Sequence, residues 1–467
     1  MPTILGANSV RDTAYNVDNS IRLDGTDDHF SLTLTQNGTS QRAFTFSCWI
    51  KRSDRNTDVP RLIHMGGTGG SPTHYISVRF RDDQSSRLSF YTEAGGSGFQ
   101  LNTNRLFRDT TGWMHIVVAV NSEATNESDR QRMNVNGVEE TSFSSTTAMS
   151  QNADLNHNQT NDVIYLFRKQ QDTDHFPGYA AEVAFIDGQQ LAPTSFGEFD
   201  EDSPTHWKPI DFKNDVTFGT NGFYIEFKDS SALGTDTSGN GNDLNPSLAG
   251  ATSQSTDTCT NNFCTWSSDI PNSSSVTLSE GNLNITMGGT SRGIFGTIAV
   301  SSGKFYYEAK WVSGSFFQTG IVATSNMNDN DDVYGGKTGA FIYKSSGDIR
   351  VNGSTSTTVG SLSTGDIVGV AIDMDNGFVY FSKNGTFQNS GNPASGSSGT
   401  GGFDISANSE YVPAASPTSA VLSGNFGSPS FSISSGNSDS EGFGNFEFSV
   451  PSGYFALNTK NLAEYGG

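Results

Sequence analysis

The sequence predicts an all-β chain, two antiparallel jelly-roll or β-sandwich domains in tandem, on three observations. Short runs alternate apolar and polar residues at period two, two of these runs end in Asn-Gly, and no stretch has the Leu, Ala, Glu and Lys content of a helical bundle. Glycine occupies 52 and phenylalanine 33 of the 467 positions, while hydrophobic residues total only 33%. Aromatic bulk on glycine-punctuated strands must therefore supply much of the core. At about 150 residues per domain the length allows two or three domains.

In Phe44-Thr-Phe-Ser-Cys-Trp-Ile50, positions 44, 46, 48 and 50 are apolar and 45 and 47 are polar, the mark of a strand with one buried face. Trp113-Met-His-Ile-Val-Val-Ala-Val120 is apolar on both faces, as in a central strand. Met133-Asn-Val-Asn-Gly-Val138 carries Asn136-Gly137, the preferred pair of a type I′ hairpin turn. Val163-Ile-Tyr-Leu-Phe167 and Tyr179-Ala-Ala-Glu-Val-Ala-Phe-Ile186 complete this set, and only Ala192 to Glu198 reads as a short helix.

From 201 to 261 the pattern changes. His206-Trp-Lys-Pro209 and the strand-like Gly222-Phe-Tyr-Ile-Glu-Phe227 precede Asp236-Thr-Ser-Gly-Asn-Gly-Asn-Asp243 and a Ser/Thr-rich stretch. The segment is expected to be a connection with one or two strands, joining a domain over 1–200 to a second over 262–467. In the second, Lys304-Phe-Tyr-Tyr-Glu-Ala-Lys-Trp311 places Phe305, Tyr307, Ala309 and Trp311 on one face, so Glu308, with Lys304 and Lys310, is expected in solvent. Ile367-Val-Gly-Val-Ala-Ile372 is two-faced, and Phe378 to Phe387 forms a hairpin turning at Asn384-Gly385. The Gly/Ser-rich stretch Asn389 to Gly402 is expected to be a flexible loop. Phe446-Glu-Phe448 and Val450-Pro-Ser-Gly-Tyr-Phe455 close the chain. The halves share an architectural echo, not a sequence repeat.

Formal charge is −22, from 49 acidic against 27 basic residues; such a surface repels phosphate backbones and argues against a nucleic-acid partner. No apolar stretch approaches the roughly 20 residues of a membrane helix, so no membrane span is expected. Met1 to Gly6 has neither the basic region nor the apolar core of a secretion signal, so the chain is expected to fold in the cytoplasm of the cell that makes it. The cysteines Cys48, Cys259 and Cys264 give no disulfide framework. Cys48 reads as a buried thiol; Cys259 and Cys264 form a small staple or, as a cytoplasmic protein favours, stay reduced.

Residues 1–200 resemble laminin-G-like (concanavalin A-like) jelly rolls through Phe46-Ser-Cys-Trp-Ile50, Gly112-Trp-Met-His-Ile116, Val135-Asn-Gly-Val138 and Gly178-Tyr-Ala-Ala-Glu-Val-Ala184. Residues 262–430 resemble SPRY domains through Gly303-Lys-Phe-Tyr-Tyr-Glu308, Gly365 to Asp373, Val379-Tyr-Phe-Ser-Lys-Asn-Gly385 and Tyr411-Val-Pro-Ala414. The order of both, with Ile4-Leu-Gly-Ala-Asn-Ser-Val10, Phe185 to Phe196 and Pro451 to Asn458, is similar to that of marine tailed-phage virion structural proteins. That resemblance implies a viral protein of a bacteriophage virion, made in the host cytoplasm and acting by binding: a tail fibre, receptor-binding or appendage protein that recognises glycan. Its partners would be other virion proteins, its own copies in a homo-oligomer, and a host-surface glycan or protein. Capsid decoration is the alternative. From other classes come a polysaccharide-degrading virion enzyme and a cellular adaptor.

The enzyme reading lacks its chemistry. Retaining hydrolases of concanavalin A-like fold resemble one another in a Glu-x-Asp-x-Glu strand whose carboxylates lie about 5 Å apart. Here Glu182 stands alone in its strand and Asp187 falls in the next turn. The histidines His29, His64, His74, His115, His157, His175 and His206 sit in unrelated contexts; His115, within an apolar strand, reads as core or interface. Gly289-Thr-Ser-Arg-Gly293 lacks the helix a nucleophile elbow needs, and no zinc-ligand spacing occurs. Asp236 to Asp243 and Asn326-Met-Asn-Asp-Asn-Asp-Asp332 carry calcium-type oxygen ligands but equally suit ordinary turns. Gly66-Gly-Thr-Gly-Gly70 lacks a phosphate loop's Lys-Ser/Thr, so a surface loop is expected. Trp49, Trp113 and Trp311 read as core, Trp207 as a contact between domains or subunits. No catalytic, cofactor-binding or metal residue is assigned, and a non-enzyme is expected.

Overall fold

The alternation at Phe44–Ile50 becomes the strand Ala43–Arg52, with Phe44, Phe46, Cys48 and Ile50 all turned into the main core of the first half. The structure is a computed structural model that describes residues 15–54, 59–67, 74–81, 86–94, 97–248, 253–269, 275–289, 292–327 and 338–466. The expected features at Ile4–Val10 lie outside these residues, as do parts of Gly66–Gly70, Gly289–Gly293 and Asn326–Asp332.

The chain divides between Thr260 and Asn261. The first unit is a sandwich of two antiparallel sheets. One runs in the order Val138–Glu139, Gln131–Val135, Met114–Asn121, Ala43–Arg52, Pro177–Asp187, Ser20–Asp24, Gln254–Ser255, with Phe223–Ile225 also on Pro177–Asp187. The other runs Phe143–Thr147, Ser97–Leu106, Arg87–Ala94, His74–Arg81, Arg61–Gly66, Val163–Leu166, His29–Thr33, Asn245–Ser247. Phe44, Ile116 and Val118 of the first sheet meet Ile76, Phe90, Leu101 and Ile164 of the second in one buried cluster.

The expected connection over 201–261 is part of this sandwich. Trp207–Pro209 pairs with Gly197–Phe199, and later pieces of the segment add to the edges of both sheets. Its aromatic residues Phe212, Phe218 and Tyr224 cover the outer face of the first sheet through Val117, Ala184 and Ile186. Trp207 is therefore an internal residue: 5% exposed, its ring stacked on His115 and its Nε1 donating to His115 Nδ1 at 3.0 Å. His115 thus holds its proton on Nε2 and donates to Ser47 Oγ at 2.8 Å. Trp49 stacks on the same imidazole, whereas Trp113 is only half-buried and donates from Nε1 to Asp257 at 2.9 Å. Ala192–Glu198 resolves into a 3-10 turn, Pro193–Ser195, and a short strand, because Pro193 starts a turn that the β-forming Phe196 and Phe199 do not continue.

The second unit is also a two-sheet sandwich. Its larger sheet is ordered Val276–Ser279, Asn284–Met287, Thr418–Asn425, Lys304–Phe316, Ile367–Asp373, Phe378–Lys383, Thr386–Phe387. The smaller is Ile294–Phe295, Tyr411–Ala415, Gln318–Ala323, Ala340–Lys344, Asp348–Val351, Ser354–Thr358. Phe305, Tyr307, Ala309 and Trp311 face its core, but Glu308 is not in solvent. It is fully buried, and its carboxylate accepts from Tyr306 Oη, Asn425 Nδ2 and the backbone N–H groups of Glu447 and Phe448 at 2.8–3.2 Å. The cause is the C-terminal segment, whose Phe446 and Tyr454 cover that face beside Tyr306 and Tyr380. The expected flexible loop Asn389–Gly402 is likewise folded: it holds a 3-10 element, Pro393–Ser398, capped by Asn392, and Tyr454 Oη donates to the buried Pro393 carbonyl. A helix that the pattern did not announce, Thr459–Tyr465, is N-capped by Asn458.

Both Asn-Gly hairpins form. Asn136 and Gly137 have φ of 50° and 76°, Asn384 and Gly385 of 46° and 78°, the left-handed pair that a type I′ turn requires.

Candidate ligand-binding face

The outward face of the first unit's second sheet concentrates polar side chains that lack partners. Register fixes which residues share it. His64 lies opposite Ser77 and Tyr165, Ser77 opposite Tyr91, Arg61 opposite Arg79, Arg79 opposite Ser89, and Ser89 opposite Asn102. Their neighbours Ile63, Val78, Phe90 and Leu101 point the other way into the core, so strict alternation forces the polar set to one side.

The aromatic members form a row. The His64 and Tyr75 ring centroids are 5.0 Å apart, Tyr75 and Tyr91 are 5.5 Å apart, and the Arg79 guanidinium lies 5.1 Å from the Tyr91 ring. Tyr75, Tyr91 and Tyr165 are half-buried, whereas His64, Arg79, Ser89 and Asn102 are buried between them. On the neighbouring strand, opposite Glu93, a Cβ on Gly98 would lie 2.7 Å from the Tyr91 phenol oxygen, so glycine there leaves the ring its place.

Nε of Arg79, Oγ of Ser89 and Oδ1 of Asn102 are buried and make no hydrogen bond, and the His64 ring nitrogens, with the Gln170 side chain beside them, make none of good geometry. Each such group costs about 1–3 kcal/mol if left unsatisfied, and four residues sharing one sheet face call for a ligand or water to complete them. Burial, with Arg61, Lys169 and Arg79 beside it, holds the His64 ring down at about 3, so this imidazole is neutral, offering one donor and one acceptor. Burial and then Arg61 and Arg81 press the Arg79 guanidinium down to about 10, which leaves it charged at neutral pH. Arg61 is satisfied: it donates to Ser77 Oγ at 2.6 Å and pairs with Asp174 at 3.2 Å. The face thus combines half-buried aromatic rings with buried polar groups beneath them.

The residues singled out by sequence are scattered. Glu182 is not alone. It is buried at a register shift between Ala181 and Ala184, with φ of 51°, and accepts from Tyr15 Oη at 3.1 Å and from Tyr224 Oη. Burial foremost, with nearby Glu226, pushes its carboxyl up to about 7. Glu226 is itself paired with Lys213 and Lys228. Asp187 is the last residue of the strand Pro177–Asp187, paired with Phe44, and not in the turn after it; it is buried and accepts from the backbone of Thr39, Ser40 and Asn221, a loop-holding role. In the Asp236–Asp243 loop, Asp236 accepts from the N–H groups of Tyr224, Ser238 and Asn242, and Asp243 from that of Asp236; these oxygens shape the loop itself. His157 is buried without a partner, His74 pairs with Asp162, and His175 lies near Asp172. Cys48, Cys259 and Cys264 form no disulfide among the described residues.

Among the described residues, the one converging group of possible metal ligands is Asp24, Asp27 and Asp28. Asp24 already accepts the N–H groups of Thr26, Asp27 and Asp28. Neither this turn nor the polar sheet face was identified from sequence. The signal for the face was present: His74-Tyr-Ile-Ser-Val-Arg-Phe-Arg81 and Arg87-Leu-Ser-Phe-Tyr-Thr-Glu93 alternate with Arg, Tyr and Ser outward, where an ordinary solvent face favours Lys, Glu and Thr.

Comparison with known proteins fits this layout. Residues 24–192 match the concanavalin A-like lectin/glucanases superfamily, and residues 304–426 match the SPRY domain. The chain thus carries a laminin-G-like, concanavalin A-like domain followed by a SPRY domain. Similar solved structures include the SPRY domain of human HERC1, 18% identical over 32% of this chain and 91% of that one, with a TM-score of 0.27. A SAP-like pentraxin from Limulus polyphemus is 14% identical, covering 38% and 80%, with a TM-score of 0.29. Domains LG4-5 of the mouse laminin alpha1 chain are 11% identical, covering 89% and 90%, with a TM-score of 0.31. No curated protein sequence matches.

Proposed function

We propose that this chain is a non-enzymatic binding protein that recognises carbohydrate on the outward sheet face of its laminin-G-like domain. One observation carries the reading: the buried His64 and the unpartnered Arg79, Ser89 and Asn102 lie beside half-buried Tyr75 and Tyr91 on a single face. Sugars offer dense hydroxyls to such a floor and an apolar ring face to such tyrosines. Glu182 does not supply hydrolase chemistry, since its carboxylate sits under Tyr15 and Tyr224 away from this face. The setting we propose is a tailed-phage particle, as a fibre, appendage or decoration protein, on the likeness of the domain order and of Phe185–Phe196 and Pro451–Asn458 to such proteins.

Two experiments test the two parts. Binding of the full chain to a glycan array should be lost on Tyr91→Ala with the first unit still folded; unchanged binding removes the face from the reading, and sugar cleavage during the assay removes the non-enzymatic one. Mass spectrometry of purified particles should find the chain at fixed stoichiometry, and its absence defeats the virion role.

A further inference from the structure

We infer that the sugar this face takes is acidic, a saccharide bearing a carboxylate or sulfate that sits against Arg79. The inference rests on the carbohydrate reading above and specifies its ligand. Arg79 is 8% exposed, and its guanidinium makes no ion pair or hydrogen bond among the described residues; its contact is the Tyr91 ring. Burying an arginine without an anion is costly, and buried charges in proteins are paired. The acids nearby are engaged elsewhere: Asp174 holds Arg61, and Glu93 accepts from Tyr91 Oη.

Cations outnumber acids on the rest of the face, where Glu93 and Asp174 are already engaged by Tyr91 and Arg61. Arg61 and Arg81 act on Arg79 as like charges. A chain of net charge −22 has thus gathered cations on one sheet face that also carries stacked tyrosines. Long polyanions are repelled by the overall charge, so selection operates at contact range. There the planar guanidinium fork matches an oxyanion on a ring that stacks on Tyr75 and Tyr91.

Isothermal titration of the full chain with three hexasaccharides tests this: an oligoalginate carrying carboxylates, an oligocarrageenan carrying sulfates, and uncharged laminarihexaose. At least one acidic probe should bind about 10- to 100-fold tighter than the neutral one, the range of a charge-assisted hydrogen bond. Which acidic probe wins tells carboxylate from sulfate. Arg79→Gln should bring the acidic probe down to the neutral level, and Arg79→Lys should keep part of the preference. If Arg79→Gln does not fold, the ranking in the native chain and the Arg79→Lys variant still decide. Equal binding of all three, or a preference that survives Arg79→Gln, overturns the acidic ligand while leaving the carbohydrate reading standing. Binding of none overturns both.

Discussion

At the scale of single residues, the first sandwich holds histidine energetics that the second lacks. His64, His115 and His157 are each held down at about 3 by burial, and all seven histidines precede residue 207. A depressed histidine stabilises the fold fully above its unfolded value near 6.5 and loses that contribution as pH falls towards 3. Calorimetry from pH 7.5 to 5 should therefore show the first unit's transition moving down, with no such histidine-linked fall in that of the second. Glu182 has the opposite sign. Its carboxyl is raised to about 7, so its contribution is present below about 4.5 and is lost as pH rises through 7, by about 3 kcal/mol for a fully realised shift. Glu182→Gln should flatten that alkaline loss; an unchanged slope between pH 5 and 8 would show that Tyr15 and Tyr224 accommodate the ionised form.

Glu182 and Glu308 also show what residue-level reading of a sequence misses. Each lies in a strand whose local pattern gives no sign of the distant segment that covers it, Phe223–Phe227 for one and Glu447–Phe448 for the other. Alternation tells which side of a strand a residue faces, and nothing about a third layer laid over that side.

At the scale of elements, buried charges fasten such layers. Lys51 Nζ and Asp257 Oδ2 lie 2.8 Å apart with both side chains 1% exposed, and Trp113 donates to the other Asp257 oxygen. Removing one partner of a buried pair leaves an uncompensated charge. Lys51→Met should cost about 3–5 kcal/mol in denaturant unfolding of the first unit, and Lys51→Met combined with Asp257→Leu much less. Glu308 fastens the C-terminal segment to the second sandwich in the same way, against the expectation that it faces water. The Asn389–Gly402 turn belongs with these elements. Its glycines were legible and its packing was not: Pro393 is buried, and a Cβ at Gly399 would lie 2.2 Å from the Phe378 ring. Deleting the turn should lower the second transition by about 5 °C or more; an unmoved transition would mean that it packs without stabilising.

At the scale of the whole molecule, the two sandwiches and both hairpins were legible because period-two alternation and Asn-Gly turns are local chemistry. The boundary was not, because residues 201–260 look polar and turn-rich yet add edge strands and an aromatic cover to the first sheet. A chain ending at Asp200 should accordingly fail to fold, whereas one ending at Thr260 should show a cooperative transition; cooperative folding of the shorter chain would make the cover dispensable. The sheet face escaped notice for another reason: its residues lie on separate strands, and only register brings His64, Tyr91 and Arg79 together.

The most direct test of the account is a crystal structure of the full chain grown with an oligoalginate or oligocarrageenan hexasaccharide. The account predicts sugar rings across Tyr75 and Tyr91 and an acidic group on Arg79. Sugar bound at any other surface, with this face filled only by solvent, would contradict it.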